Sequence, residues 1–193
     1  MLQVNKLMEA TMAVLQATPK QQLNIVVLNK ALFYLDLYAL RDLGKAVTGQ
    51  KYVALPQGPV VDQYKTKIVA SLSRKGLAEQ IDGQHGAKPM RVIQSLEHFA
   101  HLTADELNIA NEMGEGLNRI TSNAFSAFSH SNPGWILARQ KYDSRSNPAP
   151  LINLRFAVQQ LADDDEDGWI DEAVDDALMA SLEKAEAATL PWK

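Results

Sequence analysis

The sequence predicts a mainly α-helical protein, in which a compact helical domain with a small β-hairpin or extended element precedes an acidic helical C-terminal extension. Three observations predict this class. Apolar residues recur with helical spacing over most of the first 43 residues. Two short apolar runs flank a glycine-bearing loop at 82–89, as in a β-hairpin. The segment 163–193 is strongly acidic but keeps a helical apolar pattern.

Composition limits the class of protein further. The chain has 193 residues, of which 46% are hydrophobic and 22% charged, and it contains no cysteine. These values exclude a wholly disordered chain, and the missing cysteines exclude a disulfide scaffold, a thiolate zinc site and a cysteine nucleophile. The start lacks the pattern of a secretory signal, and no run approaches the roughly 20 apolar residues of a membrane span. We therefore expect a soluble, cytoplasmic protein with no membrane partner.

The first two helices follow from apolar stripes. The first stripe ends at Thr18-Pro19, because the residue before a proline disfavours helix. The second helix is predicted from about Gln22 to Leu43, is apolar over much of its circumference, and stops at Gly44. We expect this second helix to lie near the middle of the fold.

The next elements are an extended segment, a helix and a hairpin. Glycine and proline at 45–61 predict a packed, mostly extended segment. Pro59 is expected to open a helix from about Val60 to Lys75. Segments 77–81 and 90–94 then predict a β-hairpin. A helix followed by a hairpin is the outline of a winged helix, so nucleic acid enters as a candidate ligand.

The following region returns to helix. Thr103 with Glu106 three residues later matches a capping box and predicts a helix start. An aromatic pair follows in the segment 124–130, and Asn132-Pro133-Gly134-Trp135 is interpreted as a turn.

The boundary of the predicted domain falls at 142–150, a polar stretch that contains prolines. The prediction is thus a helical domain at 1–141, a linker at 142–150 and an acidic helical extension at 151–193. The formal net charge of −4 hides an unequal distribution, because 163–193 carries 11 acids and 2 bases, a net of −9. The other 162 residues carry 17 bases and 12 acids, a net of +5.

The acidic segment contains a pattern that resembles a calcium-binding loop. Alternate carboxylates followed by Gly168 match the first half of an EF-hand loop, but Val174 occupies the twelfth position, where a bidentate glutamate closes such a site. The candidate ligands are Asp163, Asp165, Asp167 and Asp171. Two interpretations stay open: a solvated acidic linker, which we favour, and a weak calcium site. No other cofactor is expected.

Catalysis is not expected. The chain has no GxGxxG, Walker-type or GxSxG motif, and its four histidines lie in no HExxH pattern. DNA binding remains an alternative, because the predicted helix and hairpin carry several bases, but the net charge of −9 in 163–193 would compete for them. The bases are Lys65, Lys67, Arg74, Lys75, Lys88 and Arg91. We therefore do not expect nucleic acid as the main partner.

The segments 30–60 and 129–135 resemble a known family, the Panacea domain, also described as the SocA-like family of antitoxin-associated proteins. The resemblance covers roughly residues 5–140. The residues that match the family's signature are Lys30, Leu32, Tyr34, Asp36, Thr48, Gly49, Tyr52, Ala54, Pro56, Gly58, Pro59, Val60, Ser129, His130, Gly134 and Trp135. The resemblance implies a compact helical domain that binds protein, commonly as the antitoxin of a toxin–antitoxin module or as a prophage or mobile-element accessory. It implies no cofactor and no catalytic constellation.

Two interpretations of the shared residues remain open. In the first, they form only a scaffold. In the second, the ledge from Tyr52 to Val60, with two aromatic side chains packed beside it, forms a groove for a partner. The candidate contact residues are Tyr52, Leu55, Pro56, Gly58, Pro59, His130 and Trp135. The resulting hypothesis is an antitoxin-like protein that neutralises a cognate protein toxin, whose basic surface would attract the acidic segment.

Overall fold

The computed structural model describes residues 5–83, 86–141 and 149–161. These residues form a mainly helical fold with two small antiparallel sheets. None of the helices described combines the length and the apolar character needed to cross a bilayer.

The first two helices lie close to their predicted positions. Helix α1 spans Lys6–Ala17, and the Asn5 side chain caps it by accepting a hydrogen bond from the Met8 amide. Helix α2 spans Ile25–Leu43 and ends at Gly44, whose φ of 71° is the left-handed conformation of a glycine cap.

The predicted start of the second helix at Gln22 is wrong. Residues Gln22–Asn24 form strand β1, and α2 begins only after it. The cause is tertiary, since β1 pairs with a strand near residue 90. The Asn24 side chain then accepts a hydrogen bond from the Val26 amide and so fixes where the helix begins.

The segment predicted as extended is a hairpin. Strand β2, Tyr52–Leu55, pairs antiparallel with β3, Gly58–Val61. Pro59 therefore lies in a strand opposite Ala54, and the prediction that it opens a helix is wrong. A proline is tolerated there because this sheet has two strands, which are both edge strands. Helix resumes as a π-helical stretch, Lys65–Ala70, that continues into α3, Ser71–Arg74.

The hairpin predicted at 77–94 is confirmed and belongs to a larger sheet. Strands β4, Ala78–Gln80, and β5, Pro89–Val92, are antiparallel. Strand β1 adds to the other edge of β5, so the strand order is β1-β5-β4.

Four helices and a 3-10 turn complete the described fold. The predicted capping box is confirmed, since Thr103 and Glu106 exchange hydrogen bonds at the start of α4. The turn predicted at 132–135 is wrong: Asn132 caps α6, and Pro133 occupies its first turn, where its missing N–H costs nothing. The bounds are Ala104–Gly116 for α4, Ser122–His130 for α5, Pro133–Gln140 for α6, Leu154–Ala157 for α7 and Val158–Leu161 for the 3-10 turn.

Helix α2 occupies the centre of the core, as predicted. Its buried residues contact α1, α4, α5 and the β2–β3 hairpin. Residues 149–161 pack on the same core, where Ile152, Ala157 and Leu161 are buried. The Ile152 amide also donates to the carbonyl of Tyr52 at 2.8 Å. Residues 142–148 and 162–193, which make up most of the predicted linker and acidic extension, lie outside the described part, so the predictions for them stay predictions.

A buried carboxylate connects α2 to the hairpin. Asp36 is fully buried, and its oxygens accept hydrogen bonds from the Thr48 amide at 2.7 Å, the Thr48 hydroxyl and the Tyr52 hydroxyl at 2.8 Å. Burial raises the pKa of Asp36 above its ordinary value, although these hydrogen bonds oppose the shift. Burial and the neighbouring Asp36 charge together raise the pKa of Tyr52 well above 10. The network fixes the segment that leads into β2.

The Asp36 network predicts a large loss of stability when the carboxylate is removed. Asp36→Ala leaves the buried Thr48 donors without an acceptor, so we expect the free energy of unfolding to fall by about 2–4 kcal/mol. Asp42→Ala, an exposed change on the same helix, is the control and should cost less than about 0.5 kcal/mol. Urea unfolding measures both, and similar losses in the two variants would contradict this role of Asp36.

Candidate partner-binding surface

The β2–β3 hairpin and the start of α2 enclose a surface pocket of about 250 Å³. Its lining residues are Ile25, Val26, Asn29, Leu55, Pro56, Gln57, Val60 and Tyr64. Most of this wall is apolar. The one amide from α2, Asn29, donates to the Ile25 carbonyl at 2.8 Å and accepts from the Val61 amide at 3.0 Å. The pocket is therefore suited to an apolar group.

The rim of the pocket is the turn between β2 and β3. Pro56 and Gln57 are exposed there, and Leu55 is half-buried. The indole of Trp135 donates to the Leu55 carbonyl at 3.1 Å and so holds the turn against α6. The His130 ring stacks on that indole, with 4.6 Å between ring centroids and 17° between planes. Two aromatic side chains therefore support the rim from one side.

The predicted contact residues divide into three groups. Leu55 and Pro56 line the pocket, while His130 and Trp135 are half-buried and flank its rim. The other three, Tyr52, Gly58 and Pro59, are buried beneath it. Tyr52 is fully buried, and its hydroxyl lies 2.8 Å from both the Leu32 carbonyl and an Asp36 oxygen. These three residues shape the surface and do not lie on it.

Gly58 is required by a close approach of two elements. Its φ is 119°, and a Cβ atom there would lie 2.6 Å from Cε of Lys30 and 3.4 Å from Oγ of Ser129. The Lys30 ammonium in turn donates to the Ser126 hydroxyl on α5 at 2.5 Å. The hairpin thus packs closely against both α2 and α5, which sets the orientation of the rim.

Six of the eight pocket residues were not among the predicted contact residues: Ile25, Val26, Asn29, Gln57, Val60 and Tyr64. Ile25 and Val26 come from the first turn of α2, Val60 from β3, and Tyr64 from the residue before the π-helical stretch. One feature of the sequence indicated the α2 residues: this helix is apolar over more of its circumference than one buried face requires, so part of its apolar surface was available to line a pocket. The three-dimensional pairing of hairpin and helix, however, is not visible in a periodicity.

The structure does not test the predicted calcium site. Asp163, Asp165, Asp167 and Asp171 all lie outside the described residues, so that prediction stays open. Within 5–83, 86–141 and 149–161, no group of three or more histidines and carboxylates is arranged to hold a metal ion.

The close packing at Gly58 predicts that an alanine there destabilises the protein more than an alanine at Gly49 does. Gly58→Ala combines an unfavourable backbone angle with an overlap on Lys30, so we expect it to cost about 3 kcal/mol. Gly49→Ala is the control, because Gly49 also has a positive φ, 62°, but open space around it, and should cost about 1 kcal/mol. Equal destabilisation in urea unfolding would show that the Lys30 contact is unimportant.

Comparison with known proteins identifies the family. A family model described as antitoxin SocA-like, Panacea domain, matches residues 28–136, more than half of the chain. The match includes most of the pocket, the Asp36 network and the His130–Trp135 stack. Searches of curated proteins and of solved structures gave no match. The family resemblance drawn from the sequence is confirmed, and the chain belongs to the antitoxin SocA-like, Panacea domain family.

Proposed function

We propose that this protein is an antitoxin-like binding module that neutralises a cognate protein toxin by direct complex formation, without catalysis. The family supports an association with toxin–antitoxin systems. The observation that carries the proposal is the apolar pocket of about 250 Å³ beside the exposed Pro56–Gln57 turn. Apolar pockets of this kind receive the anchor side chains that dominate protein interfaces.

The pocket suits a single aromatic or leucine side chain of the toxin. Its walls come from three connected elements: α2, the hairpin and the residue that opens the π-helical stretch. Asn29 and the Asp36 network hold the hairpin on α2 in the absence of a partner. A rigid site of this kind loses little conformational entropy on binding, which favours affinity.

The acidic segment 163–193 supplies the second part of the proposal. Its net charge of −9 would attract a toxin with a basic surface and would accelerate association at low salt. The proposed roles are therefore separate: the pocket provides affinity, and the acidic segment provides electrostatic steering.

A growth assay tests the pocket. The product of the adjacent open reading frame should arrest growth when expressed alone, and co-expression of this chain should restore growth. Val26→Glu places a charge in the pocket and should abolish the rescue, with Kd raised at least about tenfold. This change suits the fold, because a glutamate in the first turn of α2 interacts favourably with the helix dipole.

The control for Val26→Glu is Ile93→Glu. Ile93 is apolar and 55% exposed but lies after β5, outside the pocket lining. It should leave both rescue and affinity unchanged. Rescue by Val26→Glu as complete as wild type would reject the pocket as the toxin-binding site.

A second variant tests the acidic segment. Converting the acids of the run 163–167 to their amides removes five negative charges and leaves side-chain size almost unchanged. Toxin affinity should then fall, and its dependence on salt should flatten, because less charge remains to be screened. Titration calorimetry at about 0.05 and 0.3 M salt measures both. Equal affinity and equal salt dependence in variant and wild type would exclude steering by this run.

A further inference from the structure

The described fold contains the topology of a winged helix. Along the chain the order is α1, β1, α2, the helix Lys65–Arg74, β4 and β5, and the sheet order is β1-β5-β4. This is the order and pairing of winged-helix domains, with the β2–β3 hairpin inserted between the second and third helices. In helix-turn-helix proteins, the helix equivalent to Lys65–Arg74 enters the major groove of DNA. We call this stretch the third helix.

The third helix presents a basic outer face. Ile68 and Leu72 are buried and fix its inner face, whereas Lys65 and Arg74 are exposed. Lys67 and Lys75 are partly exposed, which brings the count to four bases. No aspartate or glutamate occurs from 63 to 78, so no acid on this helix offsets them. Thr66 and Ser73 are also exposed and offer hydroxyl donors to phosphate oxygens.

The bases of the hairpin that follows are paired with acids, whereas the four bases on or next to the third helix pair with none of the described acids. Lys88 forms an ion pair with Asp82, and Arg91 pairs with Glu79 at 2.5 Å. Across the described residues, none of the four bases on or just after the third helix forms a salt bridge. The uncompensated positive charge therefore lies on the helix and not on the strands.

We propose that this chain binds B-form duplex DNA through the third helix, with Lys65, Lys67, Arg74 and Lys75 contacting phosphates along the major groove. The sequence alone disfavoured this ligand, because the net charge of −9 in 163–193 would compete for the bases. It also predicted β1 as helix, so the third strand of the sheet was not expected. The three-stranded sheet orients the third helix, and the absence of aspartate and glutamate within 63–78 leaves its positive charge available to phosphates. The acidic segment 163–193 lowers the affinity by competing for these bases, so binding is best measured at low salt.

Fluorescence anisotropy with a labelled 30-bp DNA duplex and the full chain tests the proposal. About four phosphate contacts predict a slope of about −3.6 for log K against log salt, so the affinity should fall roughly 150-fold between 50 and 200 mM salt. The triple variant Lys65→Ala, Lys67→Ala, Arg74→Ala should reduce this slope to about −0.9 and weaken binding at 50 mM salt. The variant Lys65→Arg, Lys67→Arg keeps the charge and should bind as wild type does.

The matched control removes three exposed bases elsewhere: Lys20→Ala, Arg119→Ala and Arg155→Ala. It changes the net charge by the same amount and should keep the wild-type slope and affinity. If the control and the triple variant lose the same DNA affinity, the interaction depends only on the net charge of the chain, and the proposal is overturned. Absence of binding at 50 mM salt would overturn it, as would equally tight binding of single-stranded DNA of the same length, which has no major groove.

Discussion

The position of the β2–β3 hairpin on α2 depends on one buried carboxylate. Asp36 lies in the middle of the central helix and accepts hydrogen bonds from Thr48 and Tyr52, which precede and begin the hairpin. A buried carboxylate loses its hydration and is tolerated only when such donors replace the water. The arrangement therefore has one favourable geometry, and that geometry sets where the hairpin turn meets the start of α2. The pocket is a consequence of this constraint.

Three further contacts hold the hairpin from other sides. Gly58 allows the close approach to Lys30, the Trp135 indole holds the turn through the Leu55 carbonyl, and the Ile152 amide bonds to Tyr52 at the start of β2. Each of these contacts joins elements that are distant in sequence. The family match covers all of them except Ile152. Several residues within the family match therefore fix the position of the hairpin on the core.

Local signals predicted much of the fold, and their failures have physical causes. The stripe of α1, the glycine stop of α2 and the Thr103 capping box depend on neighbours in sequence and were correct. Strand β1 was missed because its three residues pair with β5, 65 to 69 positions later in the chain, and no local pattern encodes that pairing. The pocket was predicted only in part. Leu55 and Pro56 were among the candidate contact residues of the ledge, whereas Val26 and Tyr64 line the pocket only because α2 and the hairpin meet in the fold. Tyr52 showed that an aromatic signature residue can be structural.

We propose centrally that a protein toxin binds in the pocket between α2 and the hairpin. Hydrogen–deuterium exchange of the full chain, with and without the product of the adjacent open reading frame, tests this proposal most directly. The account predicts slower exchange of backbone amides in 25–29 and 53–64 on complex formation, because these segments form the pocket walls and rim. Unchanged exchange there, with protection confined to α4 and other elements away from the pocket, would contradict it.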